Sequence, residues 1–131
     1  MGVIALGLDL VAVSRVEKLL ARKGDRALRR LLTEAEREYC ERQPTPARHV
    51  AARLAAKEAA YKAFQYASDA RGIGWRELEV TRDGGGRPAL SMHGAALVVA
   101  RTLAISEVLL SITHTESHAA AVVVLTRKGS D

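Results

Sequence analysis

Glu58 and Lys62 stand four residues apart in the run Arg53-Leu54-Ala55-Ala56-Lys57-Glu58-Ala59-Ala60-Tyr61-Lys62. On a helix that spacing puts a carboxylate and an ammonium on one face. A second acid, Asp9, lies in Gly7-Leu8-Asp9-Leu10, inside an otherwise apolar stretch. A carboxylate there is costly to bury unless it is paired or holds a cation. Two acids and a lysine from separate segments are the donor set of a magnesium site working on a phosphate-bearing substrate. Magnesium takes oxygen ligands, commonly one or two carboxylates plus phosphates and water. The plainer readings are a surface ion pair for Glu58 and Lys62, worth about 0.3 kcal/mol, and a turn-capping acid at the strand end for Asp9.

Other chemistry-bearing residues are scattered. His114 sits in Ser111-Ile112-Thr113-His114-Thr115, at the boundary of an apolar strand and a turn, with hydroxyls on both sides. It serves either as a structural hydrogen-bonding residue or as a phosphate contact. His49, His93 and His118 have no metal-ligand spacing. Gly84-Gly85-Gly86-Arg87-Pro88 reads as a tight hairpin, or as a loop able to lie against a ligand because no Cβ obstructs it. No Gly-Lys-Ser/Thr follows it, so it is not a Walker loop, and a dinucleotide fingerprint is absent.

The elements that must position these residues follow from periodicity and punctuation. Residues 3–10 read as a strand apolar on both faces. Val13, Val16, Leu19 and Leu20 have helical spacing, with Ser14 as the expected N-cap and Glu17 completing a capping box. Gly24 ends that helix, a short one follows over 26–32, and Thr33-Glu34-Ala35-Glu36 opens another that runs to about Arg42. After the break at Gln43-Pro44-Thr45-Pro46, a long helix is expected over 46–67, with Val50, Leu54, Tyr61 and Phe64 on its apolar side. A loop over 68–74 leads to strands at 78–81 and 89–92, joined by Asp83-Gly84-Gly85-Gly86. A helix over 94–103 and strands at 108–113 and 119–126 complete the chain. The pattern predicts an α+β fold, its sheet largely antiparallel and packed against a long central helix.

The 131 residues predict one domain, residues 1–126, with a loose tail over 127–131. No apolar run reaches the roughly 20 residues of a membrane span, and the N-terminus lacks the basic region of a signal peptide. The single Cys40 allows no internal disulfide, makes zinc improbable and fits a reducing cytoplasm. A net charge of +5 favours an acidic partner or a polyanionic ligand. Nucleic acid fits poorly, because stacking aromatics are missing apart from isolated rings such as Trp75 and Phe64. Arg15, Leu19 and Arg22, four and three residues apart, share a helix face that would suit an acidic partner helix.

Taken together, Gly7-Leu8-Asp9-Leu10, Leu32-Thr33-Glu34-Ala35-Glu36, Arg53 to Ala59 with Lys62, Gly86-Arg87-Pro88 and Ser111 to Thr115 closely resemble the holo-[acyl-carrier-protein] synthases, the short-chain 4′-phosphopantetheinyl transferases. The resemblance covers about residues 4–124. It implies a magnesium-dependent enzyme that moves the 4′-phosphopantetheine arm of coenzyme A to a serine of apo acyl carrier protein, releasing adenosine 3′,5′-bisphosphate. By match to the family motifs, Asp9 and Glu58 bind the metal, and Lys62 stands by the pyrophosphate to stabilise the leaving group. Arg53, Gly86, Arg87, Pro88, His114 and Thr115 fall where the family holds the adenine nucleotide and its 3′-phosphate. The helix of Arg15, Leu19 and Arg22 is the family's carrier-binding one. The base that deprotonates the carrier serine is Glu58 or a metal-bound water, and the sequence does not choose. The resemblance also implies a homotrimer with coenzyme A in clefts between subunits.

Two departures stand out. Pro44-Thr45-Pro46 occupies the place of basic residues that grip the 3′-phosphate in many members, with only Arg48 nearby. Residues 65–71 replace a usual Gly-Thr-Gly segment. Two other readings compete: a non-catalytic module that binds carrier domains or nucleotides, and a basic nucleic-acid-binding protein. Neither accounts for the joint presence of Asp9, Glu58 and Lys62. Which carrier is served, among fatty-acid, polyketide and peptide-synthetase types, is not encoded in these motifs.

Overall fold

The computed structural model describes residues 2–68 and 72–129. Strand β1 (Gly2–Ala12) leads into helices α1 (Val13–Lys23), α2 (Asp25–Leu31), α3 (Glu34–Glu41) and α4 (Pro46–Ala67). A short 3-10 turn, Trp75–Glu77, precedes the hairpin of β2 (Leu78–Arg82) and β3 (Pro88–Met92). Helix α5 (Gly94–Thr102) and strands β4 (Glu107–His114) and β5 (His118–Arg127) complete the chain. The α+β class is as expected. The strands form two antiparallel sheets, a three-stranded one in the order β1-β5-β4 and the separate β2-β3 hairpin.

Helix α4 spans the expected residues, with Pro46 in its first turn, where the missing N–H costs nothing. Its alanines at 51, 52, 55, 56, 59, 60 and 63 are buried, and they let the three-stranded sheet approach closely. Gly7 shows how closely: a Cβ there would fall 1.9 Å from the carbonyl oxygen of Ala59 and 2.9 Å from the Ala63 nitrogen.

At Thr33 the expected capping box forms: the Thr33 hydroxyl accepts from the Glu36 N–H, and Glu36 Oε1 accepts from the Thr33 N–H. At Ser14 it does not. Strand β1 stays paired with β5 as far as Ala12, opposite His118, and the Val13 N–H donates to the Ser117 carbonyl at 2.8 Å. The helix therefore starts at Val13, with Ala12 as an N-cap that offers no side-chain bond. Gly24 ends α1 at φ +52°, its N–H on the Leu20 carbonyl. Strand β5 runs to Arg127, whose guanidinium donates to the Leu103 carbonyl. Of the loop over 68–74, residues 69–71 lie outside the described residues, as do 130–131 of the tail.

One face of the three-stranded sheet packs on α4 through Ala5, Ala119, Ala121, Val123 and Leu125. On the opposite face Leu6, Leu8 and Leu10 are 59%, 62% and 64% exposed. Among the described residues no helix is long and apolar enough to cross a membrane.

Candidate active site

Side chains alternate along a strand, so Gly7 and Asp9 share the face of β1 that meets α4. Gly7 seats β1 against the Ala59–Ala63 turn, which follows Glu58 and contains Lys62. Asp9, two residues on, is thereby delivered to both. Lys62 Nζ donates to Asp9 Oδ1 at 2.7 Å and to the Leu8 carbonyl at 3.0 Å. Glu58 Oε1 accepts instead from Arg15 Nη2, at 3.4 Å. The i,i+4 surface pair is therefore not what forms. Each member has a partner from another segment, and the Arg15 expected to face a carrier protein also reaches the acid.

The two carboxylates perturb one another. Burial, and then the nearness of Asp9, pushes the Glu58 carboxyl up to about 7. Burial works upward on Asp9 as well, but Glu58, Lys62 and Arg15 together outweigh it and hold Asp9 below the usual carboxylate value. This divides the pair into an acid that ionises near neutral pH and one that ionises below the usual carboxylate range.

Asp9 Oδ2 is buried and has no hydrogen-bond donor. A buried carboxylate oxygen without a donor, facing a second carboxylate, is completed by a shared proton or by a cation. Among the described residues no three His, Cys, Asp or Glu side chains gather where they could hold a metal. The two carboxylates of Asp9 and Glu58 are hard oxygen donors of the kind magnesium takes, an ion that keeps waters and binds phosphate oxygens.

The residues matched to nucleotide binding fall in a second group. Arg53 is buried, its guanidinium carbon 4.2 Å from the Tyr39 ring centroid. His114 closes β4, its ring 5.5 Å from that of His49 on α4. Thr115 sits in the β4–β5 turn, its N–H on the His118 carbonyl. Gly86, at φ +81°, and Arg87 form the β2–β3 turn, and Pro88 opens β3. Asp83 holds that turn, accepting from the Gly85 and Arg87 N–H groups and from Arg87 Nε. Arg82 donates to the Gly86 carbonyl at 2.9 Å and lies 4.7 Å from the Tyr39 centroid. Tyr39 and Arg82 therefore tie the hairpin turn to Arg53. Arg87 pairs with Asp83 and is not drawn to Asp9, Glu58 or Lys62.

Arg15, Leu19 and Arg22 line one concavity of about 450 Å³ on α1. Leu19 and Arg22 also border a larger groove, about 680 Å³, floored by Trp75 and edged by Arg26, Arg29 and Arg30 of α2.

Sequence reasoning gave no role to Lys57, which is fully buried. Its ammonium donates to Glu36 Oε1 at 2.7 Å and to the carbonyls of Trp75 and Leu78 at 2.8 Å. Glu36 Oε2 accepts from the Val80 N–H at 2.9 Å. Burial lowers the Lys57 pKa, and Glu36 only partly opposes it. The capping-box glutamate was legible in the sequence, but nothing there marked the lysine as its partner.

The family model for the 4′-phosphopantetheinyl transferase superfamily matches residues 5–123. The holo-[acyl-carrier-protein] synthase of Alkalilimnicola ehrlichii is 48% identical over 124 residues, covering 94% of this chain and 96% of that protein. The chain belongs to this family of enzymes. Among solved structures, the holo-[acyl-carrier-protein] synthase of Neisseria meningitidis superposes with a TM-score of 0.85 at 26% identity, over 96% of this chain and all of that one. An ACPS–CoA complex from Chronobacterium ammoniagenes gives a TM-score of 0.82 at 28% identity, over 98% of this chain and all of the other. Holo-[acyl-carrier-protein] synthases thus share with this chain both sequence and arrangement along nearly its whole length.

Proposed function

We propose that this chain transfers the 4′-phosphopantetheine arm of coenzyme A to a serine of apo acyl carrier protein, with magnesium held by Asp9 and Glu58. Holo carrier protein and adenosine 3′,5′-bisphosphate are the products. The observation that carries the reading is the meeting of Asp9, Glu58 and Lys62, with Asp9 Oδ2 left without a donor.

Bound there, the metal would neutralise charge on the pyrophosphate, where phosphoryl transfer most needs help. The remaining work falls to side chains. Lys62, tethered to Asp9 and the Leu8 carbonyl, supplies a positive charge and a proton to the departing phosphate. The proton of the carrier serine would pass to Glu58 or to a metal-bound water. Arg53, Gly86, Arg87, Pro88, His114 and Thr115 hold the nucleotide end. Arg15, Leu19 and Arg22, with the basic groove beyond them, receive an acidic helix of the carrier and steer its approach.

The exposed face of Leu6, Leu8 and Leu10 lies beside Val122 and Val124 of β5 in the antiparallel register. A contiguous apolar sheet face of this kind marks an association surface, and it supports a homotrimer in which sites form between subunits. The free thiol of Cys40, buried and pushed up to about 11, suits a reducing cytoplasm.

The test is mass spectrometry of apo acyl carrier protein after incubation with the chain, coenzyme A and magnesium. A gain equal to one phosphopantetheine arm, lost on chelation, is expected. No gain on fatty-acid, polyketide or peptide carriers would overturn the assignment in favour of a binding module.

A further inference from the structure

Lys57 and Glu36 form a charged pair that the transfer chemistry does not use. Both side chains are fully buried, and the ammonium donates to Glu36 Oε1 and to the Trp75 and Leu78 carbonyls. An ammonium has three protons to give, so none is left over. Two of the three go to the backbone where the 3-10 turn joins β2. Glu77 holds the same turn: its Oε1 accepts from the Gly74 N–H at 2.7 Å and its Oε2 from the Ala95 N–H at 2.6 Å. A short 3-10 segment has poor hydrogen-bond geometry of its own. This one is tied to α4 by Lys57 and to α5 by Glu77.

The turn presents Trp75, the chain's single tryptophan, which stays half-buried. Trp75 borders two cavities. One, about 240 Å³, it shares with Lys57 and Tyr61 of α4 and with Ile73 and Leu78. The other is the 680 Å³ groove, where Arg22 and Lys23 of α1 meet Arg26, Arg29 and Arg30 of α2 and no acid lines the wall. Of these five cations only Arg29 has an ion pair among the described residues, with Asp25 at 3.7 Å. Tryptophan and arginine are the residue types in which binding energy concentrates at protein–protein interfaces. An aromatic group whose backbone is already fixed also loses little freedom on association.

We propose that Trp75 is the apolar anchor for the acidic partner of this groove, and that Lys57 is the positioning residue that holds the anchor in place. The inference rests on the transfer reading, in which that partner is the acyl carrier protein. Charge brings an acidic helix to the groove but does not fix how far along it the helix stops. An indole held at one point does. Lys57 and Glu58 are consecutive on α4, so their side chains leave the helix about 100° apart. One helix thus carries both the acid beside Asp9 and the lysine that ties down Trp75. The separation between anchor and Glu58 is set by α4 and not by a loop, and a carrier seated on Trp75 brings its serine to the site in register.

The experiment uses Trp75 as its own reporter. On titration with a tryptophan-free apo acyl carrier protein, the chain's fluorescence should shift to the blue as the indole is covered. Trp75→Ala should raise the KM for the carrier at least about fivefold, the margin of an interface hot spot, and leave the KM for coenzyme A unmoved. Trp75→Phe should recover most of that loss. For Lys57 the variant is Lys57→Met with Glu36→Gln, which strands no buried charge. Its emission without carrier should lie to the red of the parent, and its KM should rise more for the carrier than for coenzyme A. A folded Trp75→Ala with the parent's carrier KM, or with both KM values raised alike, overturns the anchor. Parental emission and carrier KM in the folded double variant overturn the role of Lys57. Blue-shifted binding without transfer to any carrier retires the transfer reading and keeps the anchor. Transfer to a carrier that leaves Trp75 emission unmoved retires the anchor alone.

Discussion

Lys62 Nζ takes Asp9 Oδ1 at 2.7 Å and leaves Asp9 Oδ2 buried without a donor. One carboxylate thus holds an ammonium on one oxygen and leaves the other open for the cation proposed above. Lys62→Met removes the ammonium and leaves the open oxygen. Transfer should fall by about a hundred- to ten-thousand-fold, the range for losing a positioned proton donor. Magnesium should still bind, as read by its protection against thermal unfolding. A turnover within twofold of the parent would sink the role given to Lys62.

Glu58 makes a pH prediction whose sign can be worked out. Its folded pKa of about 7 lies above the ordinary 4.5, so the folded state holds the proton more tightly than the unfolded chain. Stability from this group is greatest below pH 4.5 and is lost as pH rises to about 7. Without magnesium the Tm should decline across that window, and Glu58→Gln should flatten the decline. Magnesium displaces the proton, so its affinity should climb with pH and level off above about 7. A magnesium affinity independent of pH between 5 and 8 would exclude this coupling.

Gly7 should tolerate no side chain. A methyl group at Gly7 would press on the backbone of Ala59 and Ala63, which cannot swing aside as a side chain could. Overpacking of this kind costs about 1–3 kcal/mol, occasionally more. Relief by separating β1 from α4 would also part Asp9 from Glu58. Gly7→Ala should therefore lower the denaturation midpoint and the magnesium response together. A variant as stable and as responsive as the parent would contradict the close approach.

Legibility followed sequence distance. Helix α4 could be read from Pro46 and its apolar spacing, and the cap at Thr33 from residues three apart. Ser14 misled because tertiary pairing carried β1 on to Ala12 and used the Val13 N–H elsewhere. Asp9, Glu58 and Lys62 were legible by residue type and motif, although which of them touch was not. The guanidinium groups around Tyr39 were invisible, because only the fold brings α3, α4 and β2 to one point. Nothing in the sequence marked Lys57, since its burial depends on Glu36, Trp75 and Leu78, each at least 18 residues away.

That buried pair gives a stability prediction. Removing one partner of a buried ion pair strands the other, at about 3–5 kcal/mol. Lys57→Met should approach that loss and free the 3-10 turn and β2, which Lys57 holds through the Trp75 and Leu78 carbonyls. Adding Glu36→Gln should recover part of it, since the amide carries no charge yet still offers one oxygen. The Val80 and Thr33 N–H groups both need acceptors, so recovery should be incomplete. Full additivity of the two losses in a double-mutant cycle would show the pair to be uncoupled.

The exposed sheet face tests the assembly. Leu8 is central in the row of Leu6, Leu8 and Leu10 and pairs across β1–β5 with Val122. Its side chain makes no part of the Asp9–Glu58–Lys62 cluster, so a charge there acts on association before chemistry. Leu8→Glu should convert a trimer to monomers in sedimentation equilibrium while circular dichroism keeps the helical signal. If sites are completed by a neighbouring subunit, transfer should fall with the trimer and recover as protein concentration drives reassociation. A parent chain that sediments as a monomer at micromolar concentration would rule out the trimer. A monomeric Leu8→Glu with undiminished transfer would show that one subunit holds a complete site.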